Sequence, residues 1–220
     1  MGRRWGTIAR AKALRVCFRS VTTSEDLATR QINKIALSRS LSIVEADMPP
    51  YSAAAIANWF LDRAERDRVP VDPMKLQKLI YFAHGWYLAL TGRPLITEHP
   101  EAWDYGPVIP SIYHEFKNFG RDPITRRILK LESLGASVKE LLNSRLVSPK
   151  IEPEDTDTQN FLERIWEVYG GLTGVQLSNM THATNGAWHK AREQAHGRQG
   201  IDIPDELIKE EFIQKSRRAA

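Results

Sequence analysis

Six histidines are the side chains best suited to metal binding or acid–base catalysis in this 220-residue chain. They are His84, His99, His114, His182, His189 and His196. No two of them have the H-x-x-x-H spacing that places two imidazoles on one helix face, and no cysteine lies near them to complete a zinc site. His182 and His189 are seven residues apart, but Gly186 interrupts the segment between them. The pattern predicts no metal site and no cofactor.

Motifs for nucleophilic catalysis and phosphate binding are also missing from the sequence. There is no G-x-S-x-G elbow, and the segment GGLTG lacks the lysine of a phosphate-binding loop. The only cysteine, Cys17, lies far from every other candidate residue in the sequence. Carboxylate pairs such as Glu98 and Glu101 fall in polar loops, where solvation explains them. We predict no catalytic residue and no enzyme, although a hydrolase whose histidines and acids converge only in the folded chain stays an alternative.

The positive charge of the chain is concentrated in its first 47 residues. These residues contain nine Lys and Arg against four Asp and Glu, whereas the rest of the chain contains 22 against 23. Two prolines follow Met48 and break any preceding element. We therefore predict a basic, poorly ordered amino-terminal extension at 1–47 and one domain at 48–216. Nucleic acid is an expected partner only through this extension, which would make the protein a DNA-binding regulator.

No segment has the length and hydropathy of a membrane span. The longest apolar run, LIYFAHGWYLAL at Leu79–Leu90, is well short of the roughly 20 residues that a helical span needs. The twin arginine near the amino terminus is not followed by the apolar region of a secretion signal. The sequence predicts a cytoplasmic protein with no membrane partner.

Apolar residues at helical spacing dominate the chain after Met48 and predict a mainly α, compact single domain. The clearest helix starts at Asp72 and Pro73 and ends at Gly92, with an apolar face broad enough for the centre of a core. His84 on this helix is predicted to be a core histidine bonded to a neighbour. Two pairs resemble capping boxes, Thr156 with Gln159 and Thr173 with Gln176.

The segment EAWDYGPVIPSIYHEF, residues 101–116, interrupts this helical pattern. We expect extended segments or a short β-hairpin around 94–108 and again around 145–151. Trp103 and Tyr105 are two residues apart, so a strand would place them on the same side. Gly106, Pro107 and Pro110 predict a rigid strand-to-helix corner with Trp103 packed inward. The alternative interpretation is that a partner binds this corner, and one corner can serve both roles.

Three motifs in fixed order give the chain a family resemblance. They are L-Q-K-L-x-Y-F at 76–82, E-A-W-x-Y-G-P-V at 101–108 and L-S-x-x-T-H at 177–182. Together they resemble the Panacea antitoxin domain of the SocA-like family, and the similarity covers roughly Tyr51 to Phe212. The family often has a proline before the last tryptophan, where this chain has Ala187 before Trp188.

The resemblance implies a bacterial, phage-associated toxin–antitoxin system. It implies a mostly helical, non-enzymatic domain that binds and neutralises a cognate protein toxin. A second implied role is that of a proteolytic adaptor, which would deliver the toxin to a Clp-type protease. The corner, the third motif and the last tryptophan supply the candidate partner-binding residues. These are Trp103, Tyr105, Gly106, Pro107, Val108, Tyr113, His182 and Trp188.

Overall fold

The computed structural model of the chain describes residues 50–132, 145–195, 198 and 200–218. The predicted extension at 1–47, with Cys17, lies outside the described residues, as does His196. Within the described residues the fold is mainly α, as predicted. In chain order the elements are α1 (Ala53–Asp67), α2 (Pro73–Thr91), β1 (Glu101–Trp103), β2 (Gly106–Val108), α3 (Pro110–Phe116), β3 (Lys130–Glu132), β4 (Arg145–Val147), α4 (Thr156–Tyr169), α5 (Gly174–Thr181), α6 (Ala187–Gln194), β5 (Ile201–Asp202) and α7 (Asp205–Arg218).

The cap residues that the sequence predicts for α2 are present. The carboxylate of Asp72 accepts a hydrogen bond from the amide of Lys75 at 2.8 Å. Pro73 occupies the first position of α2, where its missing N–H removes no helix bond. Gly92 ends α2 with a φ of 75°, in the left-handed region that favours glycine. Ser52 Oγ caps α1 in the same way as Asp72 caps α2.

Helix α2 is the centre of the core, as its broad apolar face predicts. Its side chains are buried along most of its length, and its main neighbours are α7 and α5. Gly85 allows the close approach of α7, because the ring of Phe212 fills the space that a Cβ at position 85 would occupy. Although α2 is very apolar, no helix in the described ranges is long and apolar enough to cross a membrane.

We predict that Gly85→Ala destabilises the domain even though alanine favours a helix over glycine. Overpacking against Phe212 should cost about 1–3 kcal/mol against a gain of about 1 kcal/mol in helix propensity, so the free energy of unfolding should fall by up to about 2 kcal/mol. Urea unfolding followed by circular dichroism measures the change. Gly171→Ala is the matched control, because nothing lies within 4 Å of a Cβ built there. An unfolding free energy that rises in Gly85→Ala would contradict this packing.

A short antiparallel hairpin confirms the extended structure expected before residue 108. Strands β1 and β2 pair from Glu101↔Val108 to Trp103↔Gly106, which leaves a two-residue turn of Asp104 and Tyr105. Tyr105 therefore lies in the turn and not on a strand beside Trp103. The expectation that both aromatics share one strand face is wrong because β1 ends at Trp103. From β2 the chain enters α3 at the next proline, as predicted.

Two further strand pairings are present in the described residues. Strand β5 pairs antiparallel with β1, so the first sheet has the order β2-β1-β5. Strands β3 and β4 form a separate two-stranded ribbon in which Leu131 is paired with Leu146. Strand β4 confirms the extended structure expected near 145. The ribbon leaves both leucines exposed.

The structure confirms one of the two predicted capping boxes. Thr173 and Gln176 exchange side-chain and backbone hydrogen bonds at the start of α5. The predicted box of Thr156 is wrong, because Asp155 is the cap residue of α4 and its carboxylate accepts from the amide of Thr158 at 2.9 Å. A charged acceptor interacts more favourably with the positive end of the helix dipole than a hydroxyl does.

Candidate protein-binding site

Two buried polar side chains of α2 hold the hairpin against the helical core. The Gln77 amide makes two hydrogen bonds to the backbone of Ile109, accepting from its N–H at 2.8 Å and donating to its carbonyl at 3.2 Å. The next residue, Lys78, donates from Nζ to the carbonyl of Pro107 at 2.9 Å. These bonds satisfy backbone groups that have lost contact with water, so β2 is fixed to α2 by polar as well as apolar contacts.

Lys78 is almost fully buried, with 1% of its surface exposed. Desolvation by burial lowers the pKa of Lys78 to about 7. A charged ammonium is strongly disfavoured in such a place unless it is paired, whereas a neutral amine can still donate its hydrogen bond. The attachment of the hairpin therefore depends on a lysine that changes charge near neutral pH.

Helix α5 holds the turn of the hairpin from a second direction. Ser178 Oγ donates to the carbonyl of Tyr105 at 3.0 Å. Beside it, Thr181 Oγ1 and Lys78 Nζ would lie 2.7 and 2.8 Å from a Cβ at position 106. Gly106 also has a φ of 97°, a conformation that L side chains rarely adopt. Glycine is therefore required at this position for both its backbone angle and its small size.

Helix α6 holds the hairpin from a third direction. Trp188 Nε1 donates to the carbonyl of Trp103 at 2.8 Å, and its ring packs edge-on against His182 at 4.2 Å. Arg192 forms an ion pair with Asp104 at 2.9 Å. We call the bonds from α2, α5 and α6 to the hairpin backbone the hairpin clamp; its donors are Gln77, Lys78, Ser178 and Trp188. The clamp immobilises the backbone on both sides of the turn.

The comparison with known families matches the region that contains the hairpin clamp. The profile of the family described as "Antitoxin SocA-like, Panacea domain" matches residues 76–189, from one residue before Gln77 to one residue after Trp188. Antitoxin SocA of Caulobacter vibrioides (strain NA1000 / CB15N) is 35% identical over 176 residues, which cover 75% of this chain and 88% of that protein. The chain belongs to the SocA-like Panacea antitoxin family. No solved structure matches it.

The Panacea domain brings all eight candidate residues together around the hairpin, but they are not equally accessible. Gly106, Pro107 and Val108 are buried, which leaves little of their surface accessible to a partner. Tyr105 is 75% exposed at the tip. The other four keep part of their surface in solvent: Trp103, whose ring contacts Tyr113 at 4.8 Å, and the edge-on pair of His182 and Trp188.

Sequence reasoning assigned no role to the polar residues that hold the hairpin of the Panacea domain. Gln77 and Lys78 lie between Leu76 and Leu79 on the most apolar helix. Two polar residues at that position were the signal that could have identified them. A buried glutamine or lysine needs a partner, which here is the backbone of the hairpin. Ser178 belongs to the third motif, which does not reveal its partner, and nothing in the local pattern distinguishes Arg192 from an ordinary helix residue. The hairpin partners of both residues are distant in the chain.

His84 is a core histidine with a bonded neighbour, as predicted. Its Nε2 lies 3.1 Å from the carboxylate of Asp205 at the start of α7, and its side chain is almost fully buried. The hydrogen bond to His84 lowers the pKa of Asp205. The pair connects α2 to α7. In the part of the chain that the structure describes, no three His, Cys, Asp or Glu side chains are placed to share a metal ion.

We predict that Lys78 makes the stability of the domain rise with pH above neutrality. Its pKa is about 7 in the folded chain and near 10.5 in the unfolded chain, so the unfolded chain binds more protons between these values. The cost of burying the charged amine is fully present below pH 7 and is relieved as the pH rises. Removing the amine in Lys78→Met should flatten the rise by up to about 1.4 kcal/mol per pH unit.

Urea unfolding at several values between about pH 7.5 and 9.5 measures this slope, within the window that the two pKa values define. Lys117→Met is the control, because Lys117 is an exposed lysine of the same domain. Equal slopes in the wild type and Lys78→Met would contradict the assignment.

Proposed function

We propose that this protein is an antitoxin that neutralises a cognate protein toxin by binding it directly. Membership of an antitoxin family supports a toxin partner in general. The observation that carries the more specific proposal is the exposed Tyr105 at the tip of a clamped hairpin. A large aromatic exposed on a rigid backbone loses little conformational freedom on binding.

The proposed contact face consists of the hairpin tip and the aromatic residues around it. Trp103 and Tyr113 are in ring contact, and Trp188 joins them to His182 through its bond to the Trp103 carbonyl. Each of the four keeps part of its surface in solvent. Aromatic residues of this kind are enriched at protein interfaces because they combine apolar area with a polar atom. Buried Gly106, Pro107 and Val108 would act by shaping the face and not by touching the toxin.

Co-expression with the product of the adjacent open reading frame tests the proposal. We expect that product to stop growth when it is expressed alone and growth to resume when this protein is present. The two proteins should elute together in size-exclusion chromatography. Because direct binding needs no degradation, the half-life of the toxin should not fall in the presence of this protein.

Two results would contradict neutralisation by binding. One is continued growth arrest although this protein is folded and abundant. The other is a shorter toxin half-life that depends on a Clp-type protease, which would indicate a proteolytic adaptor. An empty vector in place of this protein is the control for the first result, and a protease-deficient host is the control for the second.

A further inference from the structure

Two exposed apolar surfaces stand out among the described residues. One is the β3–β4 ribbon, with Leu129, Leu131 and Leu146. The residues that connect its strands lie outside the described ranges, so nothing on the ribbon indicates what covers it. The other surface is the hairpin tip, where Tyr105 is the most exposed large apolar side chain of the described residues.

We propose that Tyr105 is the anchor of the interface and inserts into an apolar pocket on the toxin. This inference rests on the proposed function and adds which side chain contributes more to binding than any other. Within the described residues, the tyrosine side chain makes no hydrogen bond to the rest of the domain, and only its backbone carbonyl is bonded, to Ser178. Its ring and hydroxyl are therefore both available to a partner.

The backbone around Tyr105 is already ordered before any partner binds. The carbonyls of Trp103, Tyr105 and Pro107 each accept a hydrogen bond from a side chain of the helical body. Binding therefore has to order only one side chain with two rotatable bonds, which is a small entropy loss for a large contact area. Tyrosines that combine these properties are frequent among the residues that dominate binding energy.

Charge at the tip indicates what the receiving pocket must offer. Asp104, the other turn residue, is paired with Arg192 of α6. Its charge is therefore compensated within the domain, and the toxin does not have to supply a cation next to the pocket. The partner surface expected for this tip is a concave apolar pocket with a polar group at its base for the tyrosine hydroxyl.

The test measures the affinity of three variants for the product of the adjacent open reading frame. The toxin is recovered from the co-expressed complex by unfolding and refolding, and the dissociation constant is measured by calorimetry. We expect Tyr105→Ala to weaken binding at least tenfold, and about 30-fold if Tyr105 contributes as hot-spot residues do. Tyr105→Phe keeps the ring and should lose less affinity than Tyr105→Ala.

Leu146→Ala is the matched control, because Leu146 is 65% exposed on the ribbon and its truncation also removes an exposed apolar side chain. It should bind like the wild type. A loss of less than tenfold in Tyr105→Ala would overturn the proposal, and so would a larger loss in Leu146→Ala. If the wild type itself does not bind, the proposed function fails and not only the anchor. Unchanged thermal unfolding of Tyr105→Ala confirms that the variant is folded.

Discussion

The structure depends on hydrogen bonds between buried polar side chains of α2 and the backbone of the hairpin. A strand of only three residues is too short to hold itself in place, and its backbone groups lose water when it packs against a helix. Gln77 and Lys78 supply the missing partners from within the core. A buried amide or amine left without its partner would be unfavourable, so the hairpin and the helix stabilise each other's position.

This arrangement separates the residues that hold the interface from the residue proposed to make it. The clamp donors come from α2, α5 and α6, three helices whose own positions are fixed by the core. Tyr105 contributes little to that core because most of its side chain lies in solvent. A substitution at the tip should therefore change binding without unfolding the domain, whereas a substitution in the clamp should affect both.

Local signals in the sequence were sufficient for much of the fold. Asp72, Pro73 and Gly92 have side-chain or backbone properties that define helix ends by themselves, and the helix between them is where they place it. The choice between Asp155 and Thr156 as a cap is different, because both residue types can fill that role and the local sequence does not decide between them. The turn at Asp104 and Tyr105 depends on pairing between strands, which no residue in the turn specifies alone.

The candidate site followed from sequence only in outline. The cluster of aromatics, glycine and prolines predicted a corner within residues 101–116 that a partner could bind, and the structure places its aromatics in one region. The local sequence could not predict that Pro107 and Val108 are buried while Tyr105 is exposed, because that difference depends on which helices pack against the hairpin. The bonds from Ser178 and Trp188 join residues more than 70 positions apart, so no local pattern encodes them.

Amide hydrogen exchange in the free protein tests the central claim most directly. The N–H of Ile109 is donated to the buried Gln77 amide, so it should exchange only through large-scale opening of the domain. The account predicts protection of this amide close to that of amides in the middle of α2, with little change when the toxin binds. Exchange of Ile109 as fast as that of an unstructured loop, with protection gained only in the complex, would show that the hairpin is not held in advance.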